Sequence, residues 1–305
     1  MADNPAEEPL EQPVNIPEKI ISAISTTVIK PDQETENMEV HKHPHHVAHK
    51  KKWGEYLLEF FMLFLAVFLG FVAENVRETT VERGREKEYA GSLYAEFYAD
   101  SVAINSKINA RLTKESDCDY LNRYIKDSSL INLPKEFYPA YTTVFYLINS
   151  FTFEPKDGVL NQLKSSGSLR YFKSAELQKL FGDISVAISN LRYRNEQEYQ
   201  FFANPVKPFI LKHFDFTWVN DLRKTNENAY YMDLINSYRK SGTFIKANIL
   251  NLASFDRVEA ANMVMFYKAM LVASRTLQMK DYITANTKLL KALREKYNLG
   301  IEHEN

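Results

Sequence analysis

Cysteine, glycine and histidine are scarce in this chain, and each scarcity excludes a class of protein. Cys118 is the single cysteine among 305 residues, so it can form no disulfide within the chain and complete no zinc ribbon. We interpret it as a small apolar filler or a surface thiol. The nine glycines and eleven prolines, five of those prolines within the first 31 residues, argue against a loop-rich or sandwich architecture.

Motifs for catalysis and cofactor binding are lacking as well. The sequence contains no HExxH, GxSxG, Walker loop or GxGxxG, and its glycines are too dispersed to cradle a phosphate. After residue 49 only His213 and His303 remain, so no histidine triad or three-histidine metal site can be assembled there within one chain. We therefore expect a protein that is not an enzyme, has no cofactor and does not bind nucleic acid.

One long apolar run is present, WGEYLLEFFMLFLAVFLGFVA at residues 53–73. As a helix its 21 residues would cover roughly 31 Å, about the hydrocarbon thickness of a bilayer. The run therefore predicts a single transmembrane helix. Because the chain begins with an acidic tail and no small-residue cleavage site follows the run, we expect a retained signal anchor.

The basic side of this run predicts its orientation. Lys50, Lys51 and Lys52 abut the membrane edge, which places the N-terminus in the cytoplasm and lets these lysines contact anionic lipid. The larger C-terminal part would then lie in the periplasm of a bacterial inner membrane.

A histidine block precedes the lysines, and it allows two interpretations. Its side chains could chelate a metal ion, or they could titrate near neutral pH and strengthen contact with lipid. Pro44 and the flanking lysines favour a flexible segment at the membrane, so we expect no metal site. The block consists of His41, His43, His45, His46 and His49.

Two features inside the apolar run are candidate functional positions. Glu59 is an intramembrane acid, which could serve a proton-linked contact or bind a basic residue of another subunit. The helix dipole and nearby water provide a simpler explanation for a carboxylate near the helix N-terminus. Ala66, Gly70 and Ala73 place small residues on one face and predict close packing of helices in lipid.

Around this run the chain divides into segments of different composition. Residues 1–40 carry a net charge of −7 and form an acidic, disordered cytoplasmic tail. The basic segment 41–52, the transmembrane helix 53–73 and a helical stalk 74–126 follow. A helical extracytoplasmic domain at 127–300 precedes the tail 301–305. The predicted fold class is all-α, with the membrane helix continuing into a bundle of long antiparallel helices.

Apolar spacing predicts individual helices. In the stalk, helical spacing of apolar residues predicts one helix to about Lys126, with the stripe Leu93, Phe97, Ile104, Ile108 and Leu112. Gly84 and Gly91 are the positions where this helix could kink. Asp100 is predicted to be an acid at the bundle edge, paired with a lysine. A second, aromatic-rich helix is predicted at 135–150. Ser174 should cap a helix from 175 to about 203, whose apolar stripe consists of Leu177, Leu180, Phe181, Ile184, Ile188 and Leu191. The candidates for an aromatic core are Phe209, Phe214, Phe216 and Trp218.

The last predicted helix, about forty residues long, begins at a Ser254 cap and ends near Gly300. Its stripe repeats about every 3.5 residues, the spacing of a coiled coil or bundle. The stripe contains Ala261, Met265, Ala269, Val272, Thr276, Met279, Ile283, Asn286, Leu290, Leu293 and Tyr297.

Three stretches together resemble a known family. They are EYLLEFFMLFLAVFLGFVAENVRE, REKEYAGSLYAEFYADS and FTFEPKDGVLNQLKSSGSLRYF. The third contains an NxLxSSG-like turn of Asn161, Leu163, Ser165, Ser166 and Gly167. Over residues 50–300 the chain resembles a family of single-span proteins of Bacteroidetes-type bacteria. The resemblance implies an inner-membrane location and a helical extracytoplasmic domain, but no activity and no catalytic residue.

Two functions compete on this basis. The first is a structural or interaction protein that assembles with itself or with other envelope membrane proteins. The second is a ligand sensor that signals through a separate cytoplasmic partner, because 52 cytoplasmic residues cannot hold an output domain. The lack of catalytic motifs leaves an enzyme as the weakest hypothesis.

Overall fold

The computed structural model describes residues 52–147 and 149–299, which are all-helical with no strand among them. The all-α class and the long helices predicted from the sequence are confirmed. By their contacts the described residues fall into two units, one ending at Met62 and the other beginning at Leu63. The α-helices are α1 (Trp53–Asp127), α2 (Phe137–Tyr141), α3 (Gly158–Ser165), α4 (Ala175–Phe201), α5 (Lys207–His213), α6 (Phe216–Lys224), α7 (Tyr231–Lys240), α8 (Arg257–Ala273) and α9 (Lys280–Tyr297). Segments of π-helix lie at Thr142–Tyr146, Phe202–Val206 and Ser274–Met279, and short 3-10 turns at Asn149–Phe151, Ser168–Tyr171 and Leu252–Ser254.

Helix α1 ends one residue beyond the predicted position, and its buried stripe begins as predicted but then departs from it. Leu93, Phe97 and Ile104 are buried, whereas Leu112 is 45% exposed and Arg111 is buried in its place. A step of four residues turns a helix by more than 360°, so repeated steps of four drift away from the packed face. The alternating steps of four and three that follow the face lead from Ile104 through 108 to Arg111, which corrects the prediction for Leu112.

Helices α8 and α9 run antiparallel to α1, as side-chain contacts along their length show. Rising residue numbers in α1 meet falling numbers in α8 and α9. The contacts join Glu86 to Lys296, Phe97 to Asn286, Asp100 to Tyr282, Glu115 to Arg275, Asp119 to Lys268 and Ile125 to Arg257. Long helices that lie side by side bury a continuous apolar seam.

The π-helical turn at Ser274–Met279 corrects the predicted stripe of the last helix. Of the predicted stripe, Met279 at the end of the π-turn and Asn286 and Leu293 in α9 are buried. In α8 the predicted Met265 and Ala269 are exposed. A π-turn inserts one extra residue and rotates the following helix by about 100°. A single 3.5-residue repeat therefore cannot describe the buried faces of both α8 and α9. In α8 the buried positions are Ala260, Ala261, Met263, Val264, Tyr267, Met270 and Leu271.

Two helix boundaries also differ from the sequence prediction. The cap of α8 is Asp256, whose carboxylate accepts hydrogen bonds from the backbone N–H groups of Val258 and Glu259, so the prediction of Ser254 is wrong. The aromatic helix predicted at 135–150 is shorter, because α2 passes into a π-turn that ends at Tyr146. Asp256 is the better cap because its side chain reaches two of the free N–H groups of the first turn.

Helix α4 agrees with the prediction. Ser174 caps it by accepting a hydrogen bond from the N–H of Leu177. The whole predicted apolar stripe is buried: Leu177, Leu180, Phe181, Ile184, Ile188 and Leu191.

The interior of the second unit contains two apolar clusters. One joins α4 and α9 to α1 up to Ile108, and the other joins α2, α5–α8 and α1 from Ala110 onwards. The second is rich in stacked rings, among them Tyr141 on Phe214 at 5.3 Å between centroids. Of the predicted core aromatics, Phe209, Phe214 and Trp218 are buried in it, and Phe216 is partly buried against it.

Candidate functional site

The N-terminal part of α1 exposes nearly all of its apolar side chains. Leu63 is 70% and Phe71 is 72% exposed. Among the described residues α1 is the one helix long and apolar enough to cross a membrane, and none of its most apolar window is buried in the protein. Helices with this composition also occur in soluble proteins, but there they are usually buried. The exposed apolar segment of α1 therefore needs an apolar environment that residues 52–147 and 149–299 do not supply.

The sequence-predicted positions in this segment are exposed. The predicted packing positions are exposed to solvent on α1: Ala66, Gly70 and Ala73. A Cβ atom added at Gly70 would have no atom within 4 Å outside the neighbouring helix backbone. Glu59 is an exposed residue of α1, and Lys52 lies directly before its first residue. The acidic tail, the histidine block His41 to His49, Lys50 and Lys51 lie outside the described residues.

A layer of buried charge lies where the two apolar clusters meet on α1. Arg111, 1% exposed, donates two hydrogen bonds of 2.9 Å to the carboxylate of Glu198 on α4. Its Nε donates a third bond, also 2.9 Å, to the carbonyl oxygen of Phe151. The planar guanidinium matches the carboxylate in both position and direction, so this ion pair fixes α1, α4 and the segment after α2 against one another.

Lys114 lies one turn further along α1 and is fully buried. Among the described residues no carboxylate forms an ion pair with it. Its Nζ lies 4.2 Å from the ring centroid of Phe151 and 4.6 Å from that of Tyr267, and donates one long hydrogen bond of 3.5 Å to Leu147 O. Burial lowers the pKa of Lys114 to about 7. Near neutral pH the amine therefore titrates inside the protein, where no solute reaches it in this conformation.

The other acids around Lys114 are already paired. Glu198 forms the ion pair with Arg111, and Asp117 accepts a hydrogen bond of 2.8 Å from Arg239. The neighbouring Cys118 is buried, and burial raises the pKa of its thiol to about 12, so it is no reactive thiolate.

Asp100 lies deeper than the sequence predicted. Its side chain is buried and accepts hydrogen bonds of 2.7 Å from the hydroxyl of Tyr282 and from the backbone N–H of Lys156. Burial raises the pKa of Asp100, and these two donors oppose the rise. The expectation of an acid at the edge paired with a lysine side chain is therefore wrong. Asp100 ties α1 to α9 and to the turn before α3.

Sequence reasoning missed the pair of Arg111 and Glu198 and the burial of Lys114. A signal was present, because Arg111, Lys114 and Cys118 continue the spacing of the buried stripe of α1. Charged residues inside an apolar register mark either a buried ionic site or an error in the register. The partner, Glu198, lies 87 residues away, and no local pattern connects it to Arg111.

The described residues contain no group of three or more histidine, cysteine, aspartate or glutamate side chains placed to hold a metal ion. No protein-family model, no curated protein and no solved structure matches the chain.

Proposed function

We propose that this protein is a membrane-anchored structural or interaction protein. In this proposal, residues 53–73 cross the bacterial inner membrane once, with the N-terminus in the cytoplasm. The helices after the span form a periplasmic bundle that serves as a subunit of a homo-oligomer or a larger envelope complex.

The observation that supports this proposal best is the exposure of the apolar segment of α1. The segment is strongly apolar, and no other part of the described chain covers it. Apolar surface costs roughly 25 cal/mol per Å² in water, so a run of exposed leucine and phenylalanine this long favours lipid strongly. The acidic and basic residues that begin at Glu74 would lie beyond the hydrocarbon.

Washing isolated membranes at high pH tests the anchor. We expect the protein to stay in the pellet and to dissolve only with detergent, because a spanning helix resists release by alkali. Protease added to intact spheroplasts should then digest the C-terminal region. Release by alkali would contradict the anchor, and digestion only after lysis would contradict the topology.

The structural role has its own test. We expect protein extracted with mild detergent and pulled down through its C-terminus to run as an oligomer or with envelope partners. A lone monomer that co-purifies with nothing would contradict the assembly role.

A polar cleft of about 240 Å³ favours a second candidate function, the sensing of a small ligand. Glu154, Arg192, Asn195 and Glu198 line this cleft, and Glu198 is the buried partner of Arg111. A ligand that displaced Glu198 would act directly on α1. A ligand-dependent change in crosslinking of the N-terminal tail would support sensing, and its absence in the presence of periplasmic extract would count against it.

A further inference from the structure

We propose that Arg85 and Arg170 bind the phosphate group of an anionic lipid in the leaflet next to the helical bundle. We call this place the two-arginine site, consisting of Arg85, Arg170 and Tyr171. The inference rests on the proposed membrane anchor, because residues 53–73 would bring lipid headgroups close to this end of the bundle. An anchor by itself needs no particular lipid, whereas this site prefers a negatively charged one.

The two guanidinium groups meet at one tyrosine. Arg85 on α1 donates a hydrogen bond of 3.0 Å to the hydroxyl oxygen of Tyr171, and its Cζ lies 5.9 Å from the centroid of the ring. The Cζ of Arg170 lies 5.3 Å from the same centroid. Tyr171 is itself buried and stacks on Tyr89, with 6.2 Å between the ring centroids. A fixed ring therefore holds two exposed cations close together.

The ion pairs among the described residues at this level of α1 include neither arginine. They join Glu74 to Arg77, Glu82 to Lys173 and Glu86 to Lys296. Two like charges that lie close together repel each other, and an anion between them relieves this repulsion. Arginine suits a phosphate group well, because its planar fork donates parallel hydrogen bonds to two phosphate oxygens.

The charge around Arg170 is positive on balance. The stretch 164–173, KSSGSLRYFK, contains three cations and no acid. A hydrogen bond to Tyr171 and, after it, the charges of Glu82 and Glu78 raise the pKa of Arg170. Four cations, with Arg85 included, and these two acids leave a net charge of +2. An anionic ligand is therefore favoured over a neutral one.

The distance from the proposed span places the two-arginine site near the membrane surface. Lys173 contacts Glu82, and Arg170 interacts with Glu82 and Glu78. These acids lie nine and five residues beyond Ala73, which is roughly 8–14 Å along the helix. Headgroups extend about 5–8 Å beyond the hydrocarbon on each side of a bilayer. The remaining gap is within about 10 Å, the distance over which a cation is attracted to a negative lipid surface.

The SSG turn of the sequence carries the chain into this site. Gly167 has a φ of 70°, the left-handed conformation that favours glycine. It joins α3 to the 3-10 turn at Ser168–Tyr171, which contains both Arg170 and Tyr171. The glycine of the turn therefore has a backbone role, and the residues that follow it supply the side chains of the site.

Native mass spectrometry of the full chain in detergent tests the site. The protein is mixed with equal amounts of phosphatidylglycerol, which is anionic, and phosphatidylcholine, which is zwitterionic. We expect it to retain phosphatidylglycerol at least about threefold more than phosphatidylcholine, because each arginine near a headgroup favours the anionic lipid. Arg85→Gln with Arg170→Gln should lower this preference at least about threefold. An unchanged preference in this double variant would overturn the site.

A second double variant is the matched control. Arg83→Gln with Lys87→Gln also removes two exposed positive charges from this end of the bundle, but neither residue contacts Tyr171 among the described residues. We expect this control to keep the preference for phosphatidylglycerol. Both double variants retain the lysines at residues 50–52, so the contribution of those lysines cancels. An equal loss in both would show that net charge alone attracts the lipid, which overturns the site.

Inorganic phosphate distinguishes a lipid from a free anion. Phosphatidylglycerol should raise the thermal melting temperature of the native full chain more than that of Arg85→Gln with Arg170→Gln, and inorganic phosphate should raise neither. If inorganic phosphate stabilises the native protein as much as the lipid does, the ligand is a free anion and the lipid assignment is wrong.

The alkali wash separates failure of the site from failure of the anchor. Protein that stays in the high-pH pellet but retains both lipids equally contradicts the site and leaves the anchor intact. Protein that is released by alkali contradicts the anchor. A preference for phosphatidylglycerol that Arg85→Gln with Arg170→Gln removes would support the site in either case.

Discussion

Two stretches of α1 differ in which side chains they expose and which they bury. Between Leu63 and Ala73 the side chains are mainly apolar and exposed, whereas between Asp100 and Asp117 charged side chains are buried. The same helix thus exposes its hydrophobic residues and buries its ions. Hydropathy alone predicts burial correctly in neither stretch, because burial there depends on surroundings that lie outside the helix.

The difference shows what burial depends on. An apolar side chain is stable where no water surrounds it, and the described part of the chain offers the exposed segment no such place. A charged side chain can be buried when a partner of opposite charge replaces its water, as Glu198 does for Arg111. Lys114 lies between these cases, because it is buried but finds only two rings and one carbonyl oxygen.

The largest effect should come from placing charge in the exposed apolar segment. The pair Leu65→Lys and Leu69→Lys should cost about 5–7 kcal/mol of membrane insertion, at about 2.5–3.5 kcal/mol for each lysine. We expect the protein to leave the membrane pellet while its thermal melting stays unchanged, because both residues are exposed in the fold. Leu65→Ile with Leu69→Ile is the control. If the lysine variant stays in the pellet, the segment is not a membrane anchor.

Breaking the buried ion pair should have the next largest effect. Glu198→Ala leaves the Arg111 guanidinium buried without a counter-charge, and we expect it to lower the free energy of unfolding by about 3–5 kcal/mol in urea. The exposed pair of Glu74 and Arg77 on the same helix provides the control, because Glu74→Ala should have no measurable effect. Equal effects of the two substitutions would remove the contrast between exposed and buried charge.

Lys114 should make stability depend on pH. Its pKa is about 7 when folded and near its ordinary value of 10.5 when unfolded, so the unfolded chain binds more protons between these values. Stability should therefore rise with pH in this window, by up to roughly 1.4 kcal/mol per pH unit from Lys114 alone. Arg111, Glu198, Asp117 and Cys118 surround the amine and stay in place in Lys114→Met.

Lys114→Met should remove this rise, so the variant gains most over the native protein below pH 7 and nothing near pH 10.5. Urea titrations of both proteins at several pH values measure the difference. A difference that does not change with pH would show that the amine stays charged in the fold.

Tyr282→Phe should weaken the tie between α1 and α9 to a smaller extent. It removes one of the two donors to Asp100, at a cost of about 1–2 kcal/mol near neutral pH. Because this donor lowers the pKa of Asp100, its loss should matter less as falling pH protonates the carboxyl group. Tyr297→Phe, which removes a more exposed hydroxyl from Glu86, should cost less in the same urea titration. A larger effect for Tyr297→Phe would contradict the ranking by burial.

The smallest expected effect is a gain. Gly182→Ala should raise the free energy of unfolding by about 0.5–1 kcal/mol, because Gly182 is helical, exposed and open at its Cβ. Gly84→Ala should give a similar gain in urea, because its Cβ position is also open. A loss of stability at either position would show a contact that the fold does not reveal.

Local structure could be predicted from the sequence where it depends on a single helix. Ser174 caps α4 because a hydroxyl reaches the first free N–H groups, and the stripe from Leu177 to Leu191 is buried because its spacing matches the helix turn. The spacing of α1 signalled the burial of Arg111, but its partner Glu198, 87 residues away, could not be predicted from any local pattern. The burial of Asp100 depends in the same way on Tyr282.

The sequence by itself determined that the chain is helical, that one segment is too apolar to be stable in water, and where α4 begins. These properties follow from hydropathy, spacing and capping, which act within a few residues. Tertiary structure alone decided which charges are buried and where the last helix changes its face. Those outcomes depend on which distant side chains meet, and a π-turn or a counter-charge 87 residues away leaves no trace in local periodicity.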